Sequence, residues 1–176
     1  MTTDISLIVS QMCPKDRKDL RALIKTCWLE TYEKELGATV TSQLLSLLME
    51  HDLAGLVPSK DERVLFAKQQ NLLCGSVISA ARHATTYLWG FYVLPDFQRR
   101  GIGAKLLLGA IKEHDPKNMV ELTVLNSSHS AKQFYKYLGF HEVSNEYFEI
   151  LDGIKLPAIK MNALAADIIE QRRFPS

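Results

Sequence analysis

The sequence predicts an α+β protein of one domain, and three observations predict it. Strand patterns follow one another through the middle of the chain, at residues 64–67, 73–80 and 87–93, and return near its end. Helical patterns precede them at residues 14–37 and 41–50. One strand–loop–helix stretch, residues 86–113, joins the two kinds of pattern and organises the rest. At 176 residues the chain is of single-domain size, 1–176, with its best-supported core at 63–150.

Residues 5–9, Ile-Ser-Leu-Ile-Val, read as a first strand. Pro14 suits an early helical position, and Leu20, Leu23, Ile24, Cys27, Trp28 and Thr31 mark an apolar face running to Gly37, a C-cap. Thr41 opens a second helix through Leu44, Leu45, Leu48 and Met49, which fades at His51-Asp52. Gly55 and Pro58 make residues 54–61 a loop. The polar pair Gln70-Asn71 joins two strands as a hairpin, and His83-Ala84-Thr85 turns the chain into the organising strand.

That strand, Tyr87 to Val93, breaks at Pro95, crosses a short basic loop and re-emerges as a helix. Ile102, Leu106, Leu107, Ala110 and Ile111 recur at helical spacing. Between strand and helix sit Gln98, Arg99, Arg100, Gly101, Ile102 and Gly103. Two glycines let backbone N–H groups turn toward a ligand, and a helix start leaves further N–H groups unpaired. The helix dipole and two guanidiniums add positive potential, so the loop suits a phosphate or pyrophosphate. A P-loop is excluded, because Gly103-Ala104-Lys105 does not supply Gly-Lys-Ser/Thr. A dinucleotide fingerprint wants a third glycine where Leu106 stands. The pattern present is Gln-x-x-Gly-x-Gly after Val-x-Pro; the plain alternative is a tight turn with a solvated Arg pair.

Asp115-Pro116 ends the helix, and Val120, Leu122 and Val124 form one face of the strand 119–125. Asn126 follows. Ser130 with Gln133 reads as a capping box for a short helix whose inner face is Ala131, Phe134, Tyr135 and Leu138, closed by Gly139. Residues 140–150 and 155–161 read as final strands around a turn at Asp152-Gly153, and residues 164–174 suggest a short terminal helix.

Composition narrows the partners. Lys and Arg number 21 against 20 Asp and Glu, so no nucleic-acid footprint or membrane-surface charge is expected. No apolar run reaches the ~18 residues of a membrane span. The start, Met-Thr-Thr-Asp-Ile-Ser, lacks a basic flank and apolar run, so no secretory signal is expected. Cys13, Cys27 and Cys74 are scattered, odd in number and without metal-ligand spacing, so no metal is expected, and the setting read is a reducing cytoplasm.

Two blocks together carry a family resemblance. The first is Val93-x-Pro95 with Gln98-x-x-Gly101-x-Gly103; the second is Asn126 followed by Ala131-x-x-Phe134-Tyr135-x-x-x-Gly139-Phe140. In this order they resemble the GNAT superfamily of N-acetyltransferases, best over residues 63–150, and a Trp28-x-x-x-Tyr32 helix also recurs in some members. The resemblance implies the acyl-CoA N-acyltransferase fold: a mixed, mostly antiparallel sheet of six to seven strands flanked by about four helices. It implies acetyl-CoA as co-substrate, with its pyrophosphate on the N–H groups from Arg99 to Ala104 and Gln98 opening the loop. The family splays its fourth and fifth strands, so the backbone at Phe91 and Val93 would meet pantetheine like a short extra strand. Tyr92 would then point to the opposite face. Asn126 would bond the cofactor or tie the strand ends, against the plainer reading of an Asx turn.

The resemblance also implies the chemistry: direct attack of a primary amine in a ternary complex, with oxyanion stabilisation from a backbone N–H near Val93. Tyr135 stands where the family protonates the departing thiolate, the plain alternative being a packing aromatic. A lysine-like amine costs about 4–5 kcal/mol to deprotonate at neutral pH, and an α-amino group about 1–1.4 kcal/mol. Several members place a carboxylate near the start of the fourth strand, but Thr85-Thr86-Tyr87-Leu88-Trp89-Gly90 has none. His83, Glu30, Glu33, Glu121 and a water chain stay open as bases. The acceptor is an amine-bearing small molecule or peptide, and a homodimer is left open. A non-catalytic acyl-CoA sensor of the same fold, and a structural protein without cofactor, are the rival readings.

Overall fold

The computed structural model describes residues 5–10, 12–50 and 52–173. The elements run β1 (Ile5–Ser10), α1 (Arg17–Ser46), β2 (Arg63–Gln69), β3 (Leu72–Arg82), β4 (Thr85–Val93), α2 (Ile102–Lys112), β5 (Met119–Leu125), α3 (His129–Tyr137), β6 (His141–Leu151), β7 (Ile154–Leu164) and α4 (Ala165–Arg173). Strands and helices are mixed as the α+β expectation required. β1/β2, β5/β7 and β6/β7 pair antiparallel, and β4/β5 pair parallel. The chain forms two compact units, and β3 and β4 run through both.

The first unit holds Met1–Ile78 and Gly90–Ala110, with strand order β1-β2-β3-β4. Leu20, Leu23, Ile24, Cys27 and Trp28 of α1 are buried, as their helical spacing foretold. Gly37 takes φ 78° and ψ 166°, so α1 is two helical stretches meeting at a kink. Gln70 and Asn71 both adopt left-handed backbone, φ 48° and 68°, the geometry that matches strand twist in a two-residue hairpin. Gly75 lets α2 sit close to β3: a Cβ there would lie 2.8 Å from Leu106 Cδ1 and 3.0 Å from the Tyr92 carbonyl oxygen. Ile102, Leu106 and Leu107 of α2 are buried.

The second unit holds Ser79–Trp89 and Ile111–Ser176, with strand order β3-β4-β5-β7-β6. Val120, Leu122 and Val124 are buried alongside Met161, Ala163, Leu138 and Phe140. Thr85–Tyr87 pair in parallel with Met119–Glu121, and β5 runs four residues past the last pair. Asn118 Nδ2–H donates to Thr86 Oγ1 at 3.1 Å beside this register, and both residues are buried.

Several local expectations change. Thr31 is exposed, and Tyr32 takes its place on the buried face because helical spacing carries the stripe from Trp28 to Tyr32. Met49 is exposed, since the helix has already tightened to a 3-10 turn over Leu47–Met49. α3 begins at His129 behind Ser128 without a side-chain cap bond, so Ser130 lies inside the helix and no capping box forms. The turn of the expected fade at residue 51 lies outside the described residues.

Candidate functional site

The first unit carries the loop. Leu94 N–H donates to the Cys74 carbonyl at 2.8 Å, Pro95–Phe97 form a 3-10 turn, and Gln98 N–H donates to Pro95 O at 3.1 Å. The backbone then turns left-handed at Arg99, φ 62°, and at Gly101, φ 78°. Lys105 N–H to Gly101 O, 3.0 Å, is the first helical bond of α2. The N–H groups of Ile102, Gly103 and Ala104 therefore lie in a first turn that offers them no carbonyl four residues back. Ile102 is buried and anchors this turn, while Arg99, Arg100 and Gly101 are exposed. Arg100 sits 5.3 Å from the centre of the Phe97 ring. A Cβ built on Gly101 meets no atom within 4 Å, so it is the positive φ rather than crowding that calls for glycine.

The end of β4 is tied on several sides within the same unit. Gly90 adopts φ 53°, with Ile78 Cδ1 and Leu56 Cδ2 only 3.1 and 3.2 Å from where its Cβ would lie. Trp28 Nε1–H of α1 donates to the Tyr92 hydroxyl at 2.9 Å, and Tyr32 meets Trp28 edge-on at 6.0 Å. The Val93 carbonyl accepts the Cys27 thiol at 3.6 Å and the Gln98 side-chain amide at 3.1 Å. Burial, with Glu30 nearby, pushes the Cys27 thiol up to about 12. Burial also lifts the Tyr32 phenol to about 12, Glu35 adding to it.

The second unit carries Asn126 and Tyr135. Asn126 N–H donates to Pro157 O at 2.9 Å, securing the end of β5 to β7. Its side-chain Oδ1 is buried and has no hydrogen-bond partner among the described residues. A buried acceptor left unmatched is costly and wants a donor. Tyr135 is buried between Phe134 and Phe140, with ring centres at 5.2 and 5.6 Å. Burial raises its phenol well above the usual value and holds it neutral.

Two of the four candidate bases belong to the first unit and two to the second. His83 is exposed in the β3–β4 turn at φ 56°, and Glu30 and Glu33 are exposed on α1. Glu121 lies 3.4 Å from Lys160, which also meets Glu146 at 3.1 Å. Sequence reading did not single out the Val93 carbonyl as a junction, the Trp28–Tyr92 bond or the Asn118–Thr86 clamp. Polar residues inside apolar strand patterns, such as Thr86, are the only sign the chain gives of the last. Among the described residues no group of three or more His, Cys, Asp or Glu side chains is placed to hold a metal ion. No described helix is long and apolar enough to cross a membrane.

Comparison with known proteins agrees with this architecture. The PaiA N-acetyltransferase from Thermoplasma acidophilum, in complex with coenzyme A, superposes with TM-score 0.73 at 20% identity, covering 90% of this chain and 99% of that one. The ribosomal-protein-S18-alanine N-acetyltransferase from Escherichia coli gives 0.62 at 19% identity, covering 89% and 92%. A chimera of the spermidine N-acetyltransferase SpeG from Vibrio cholerae and hSSAT gives 0.61 at 18% identity, covering 93% and 98%. A search of curated protein sequences returns no match. The family model described as "Acetyltransferase (GNAT) domain" matches residues 28–162. With most of its length inside that match, and the loop and strand order in place, the chain belongs to the GNAT acetyltransferase family.

Proposed function

We propose that the chain is an acetyl-CoA-dependent N-acetyltransferase acting on a primary amine of a small molecule or peptide. The observation that carries this reading is the Arg99–Ala104 loop. Two left-handed residues lead into a helix whose first N–H groups are free of helical partners, with two arginines beside them. This is a fitting seat for a pyrophosphate. The orphaned Asn126 Oδ1 and the open space over Gly101 also suit a bound cofactor. An amide N–H of the pantetheine arm would satisfy the former. The short parallel register of β4 and β5 supports main-chain contacts at Phe91 and Val93. Because its carbonyl is engaged, Val93 would serve through its N–H.

Acetyl-CoA, when bound, supplies an acetyl group activated as a thioester. The amine nitrogen forms the new C–N bond as the C–S bond breaks, and Tyr135 gives its phenolic proton to the departing sulfur. Burial holds the phenol neutral and makes it a weaker acid, so its proton would move only as negative charge develops on the sulfur. The proton lost by the amine leaves through water or one of the exposed groups. The fold neighbours include a spermidine N-acetyltransferase chimera and a ribosomal-protein-alanine N-acetyltransferase, so both kinds of amine belong in a test panel.

The absence of a carboxylate from Thr85–Gly90 favours a second reading, an acyl-CoA sensor without turnover. Release of CoA from acetyl-CoA, measured across polyamines, aminoglycosides, amino acids and peptides, separates the two. A turnover hit supports the enzyme and names its acceptor class. Micromolar acetyl-CoA binding with no turnover on any amine supports the sensor. No binding overturns both.

A further inference from the structure

We infer that Glu121 is the catalytic base of the proposed transfer, taking the proton that the acceptor nitrogen sheds as its bond to the acetyl carbon forms. The inference rests on the acetyltransferase reading and goes beyond it by naming that residue. β4 and β5 pair in parallel at Thr85 with Met119, Thr86 with Val120 and Tyr87 with Glu121. At the closed end of this register Met119 N–H donates to Ala84 O at 3.0 Å, and Asn118 Nδ2–H donates to Thr86 Oγ1 at 3.1 Å. Glu121 therefore stands on the last rung. Past it β4 runs on to Val93 and β5 to Leu125. An acyl arm that starts at the Arg99–Ala104 loop and follows β4 back past Val93 and Phe91 has its thioester end directed at that rung.

The two faces of β5 decide the side of approach. Val120, Leu122 and Val124 are buried in the core of the second unit. Glu121 and Thr123 alternate with them on the other face, which reaches solvent. An acceptor entering from solvent thus meets the arm on the face that Glu121 occupies. Directly opposite residues share a face, so Tyr87, Glu121, Asn162 and His141 stand side by side across β4, β5, β7 and β6. In the next row Lys160 lies 3.4 Å from Glu121 and 3.1 Å from Glu146. Hydrogen bonds to Glu146 first, and then to Glu121, raise its ammonium above the usual range. Lys160 orients the Glu121 carboxylate, whose side chain stays 23% exposed and within reach of a solute. Two carboxylates around one ammonium leave a negative charge on this face, which favours a nitrogen turning cationic.

The rival bases stand elsewhere on their elements. His83 lies in the β3–β4 turn, before the closed end of the register. Glu30 and Glu33 are exposed on α1, whose buried face is carried by Trp28 and Tyr32. In the step itself the nitrogen lone pair forms the C–N bond, and one nitrogen proton passes to the Glu121 carboxylate. The C–S bond breaks with its electron pair on sulfur, which takes the Tyr135 proton. Glu121 then gives its proton to water, and water restores that of Tyr135, so the enzyme returns to its starting state.

Two measurements on the full chain test this: single-turnover CoA release from acetyl-CoA, with spermidine and an alanine-initiated peptide as probe amines, and acetyl-CoA binding by calorimetry. Glu121→Gln should slow release by about 10²–10⁴-fold while keeping the parental acetyl-CoA affinity and circular dichroism. In Glu121→Ala, added formate should restore release in step with its concentration, because a free carboxylate can enter the space vacated. Glu121→Gln, with that space filled, should not respond. Formate rescue marks a base, since a residue that only held Lys160 in place would not show it. Parental release by Glu121→Gln, or a Glu121→Ala variant deaf to formate, overturns the assignment and leaves the acetyltransferase reading standing. A parent that binds acetyl-CoA yet releases no CoA to these amines or the rest of the panel overturns that reading, and the assignment with it.

Discussion

Gln98 donates its side-chain amide to the main-chain oxygen of Val93 at 3.1 Å, so the first residue of the loop motif reaches back to the end of the strand before it. The bond spans the 3-10 turn at Pro95–Phe97. The residue that follows, Arg99, holds a left-handed backbone that a non-glycine residue adopts only under constraint. The Cys27 thiol of α1 approaches the same oxygen, so helix, strand and loop converge on one carbonyl. Gln98 accordingly acts by positioning the loop.

Replacing Gln98 with Glu keeps the shape and removes the donor, setting a carboxylate against a carbonyl. The loss of one exposed hydrogen bond, about 0.5–1.5 kcal/mol, predicts a hold on acetyl-CoA weaker by about twofold to tenfold. Amide hydrogen exchange across residues 99–104 should quicken at the same time. Gln98→Arg, which still offers a donor, should restore most of the affinity. Calorimetry with exchange mass spectrometry checks this; weaker binding without faster exchange would show Gln98 contacting the ligand instead.

Gly101 separates backbone strain from charge. Its φ of 78° costs an alanine about 1–2 kcal/mol, although the space around the site is open. Gly101→Ala should thus weaken acetyl-CoA binding several-fold or more, and Gly101→Asp considerably further, because a carboxylate would join the proposed pyrophosphate seat. Titration calorimetry on variants with parental circular dichroism reads both. Equal affinity in Gly101→Asp and the parent would remove the loop from cofactor binding.

Tyr135→Phe should slow the chemical step by about 10²–10⁴ while leaving acetyl-CoA affinity nearly unchanged. The ring packing on Phe134 and Phe140 survives the substitution, so stability should hold. Single-turnover CoA release is the measurement, since product release can mask a slower chemical step. An unchanged single-turnover rate would assign Tyr135 to packing.

The contrast between Gly101 and Val93 shows what was legible in the chain. The left-handed turn at Gly101, the hairpin at Gln70-Asn71 and the buried stripe from Leu20 to Trp28 depend on local chemistry, so residue type and spacing reveal them. The engagement of Val93 O depends on Cys27, 66 residues earlier, and a main-chain acceptor has no residue type to betray it. The Trp28–Tyr92 bond likewise joins residues 64 apart. Ser130 misled for the opposite reason: a local cap signal yielded to a helix whose cap position lies two residues earlier, at Ser128. The orphaned Asn126 Oδ1 was readable as a candidate ligand group, but its lack of a partner is a property of packing alone.

Stability should fall in alkali before the pH at which a fully exposed chain of this composition would be troubled. Cys27 is raised from 9.0 to about 12 and Tyr32 from 10.0 to about 12, burial being the main cause for each. Between the ordinary and the raised values the folded chain keeps both protons while the unfolded chain releases them. Unfolding therefore gains with every increment of pH in that window. The contribution is complete below pH 9, begins to drain there through Cys27, is joined near pH 10 by Tyr32, and is lost by about pH 12. Thermal melting from pH 8 upward should show the midpoint dropping across this range. Cys27→Ala and Tyr32→Phe should each flatten the slope over their own part of it, at the cost of a lower midpoint near neutrality from lost packing. Iodoacetamide offers an independent reading: a protonated, buried Cys27 should resist alkylation at pH 8 and yield only as the fold opens. Prompt alkylation of Cys27 in the folded chain would remove the thiol from this account.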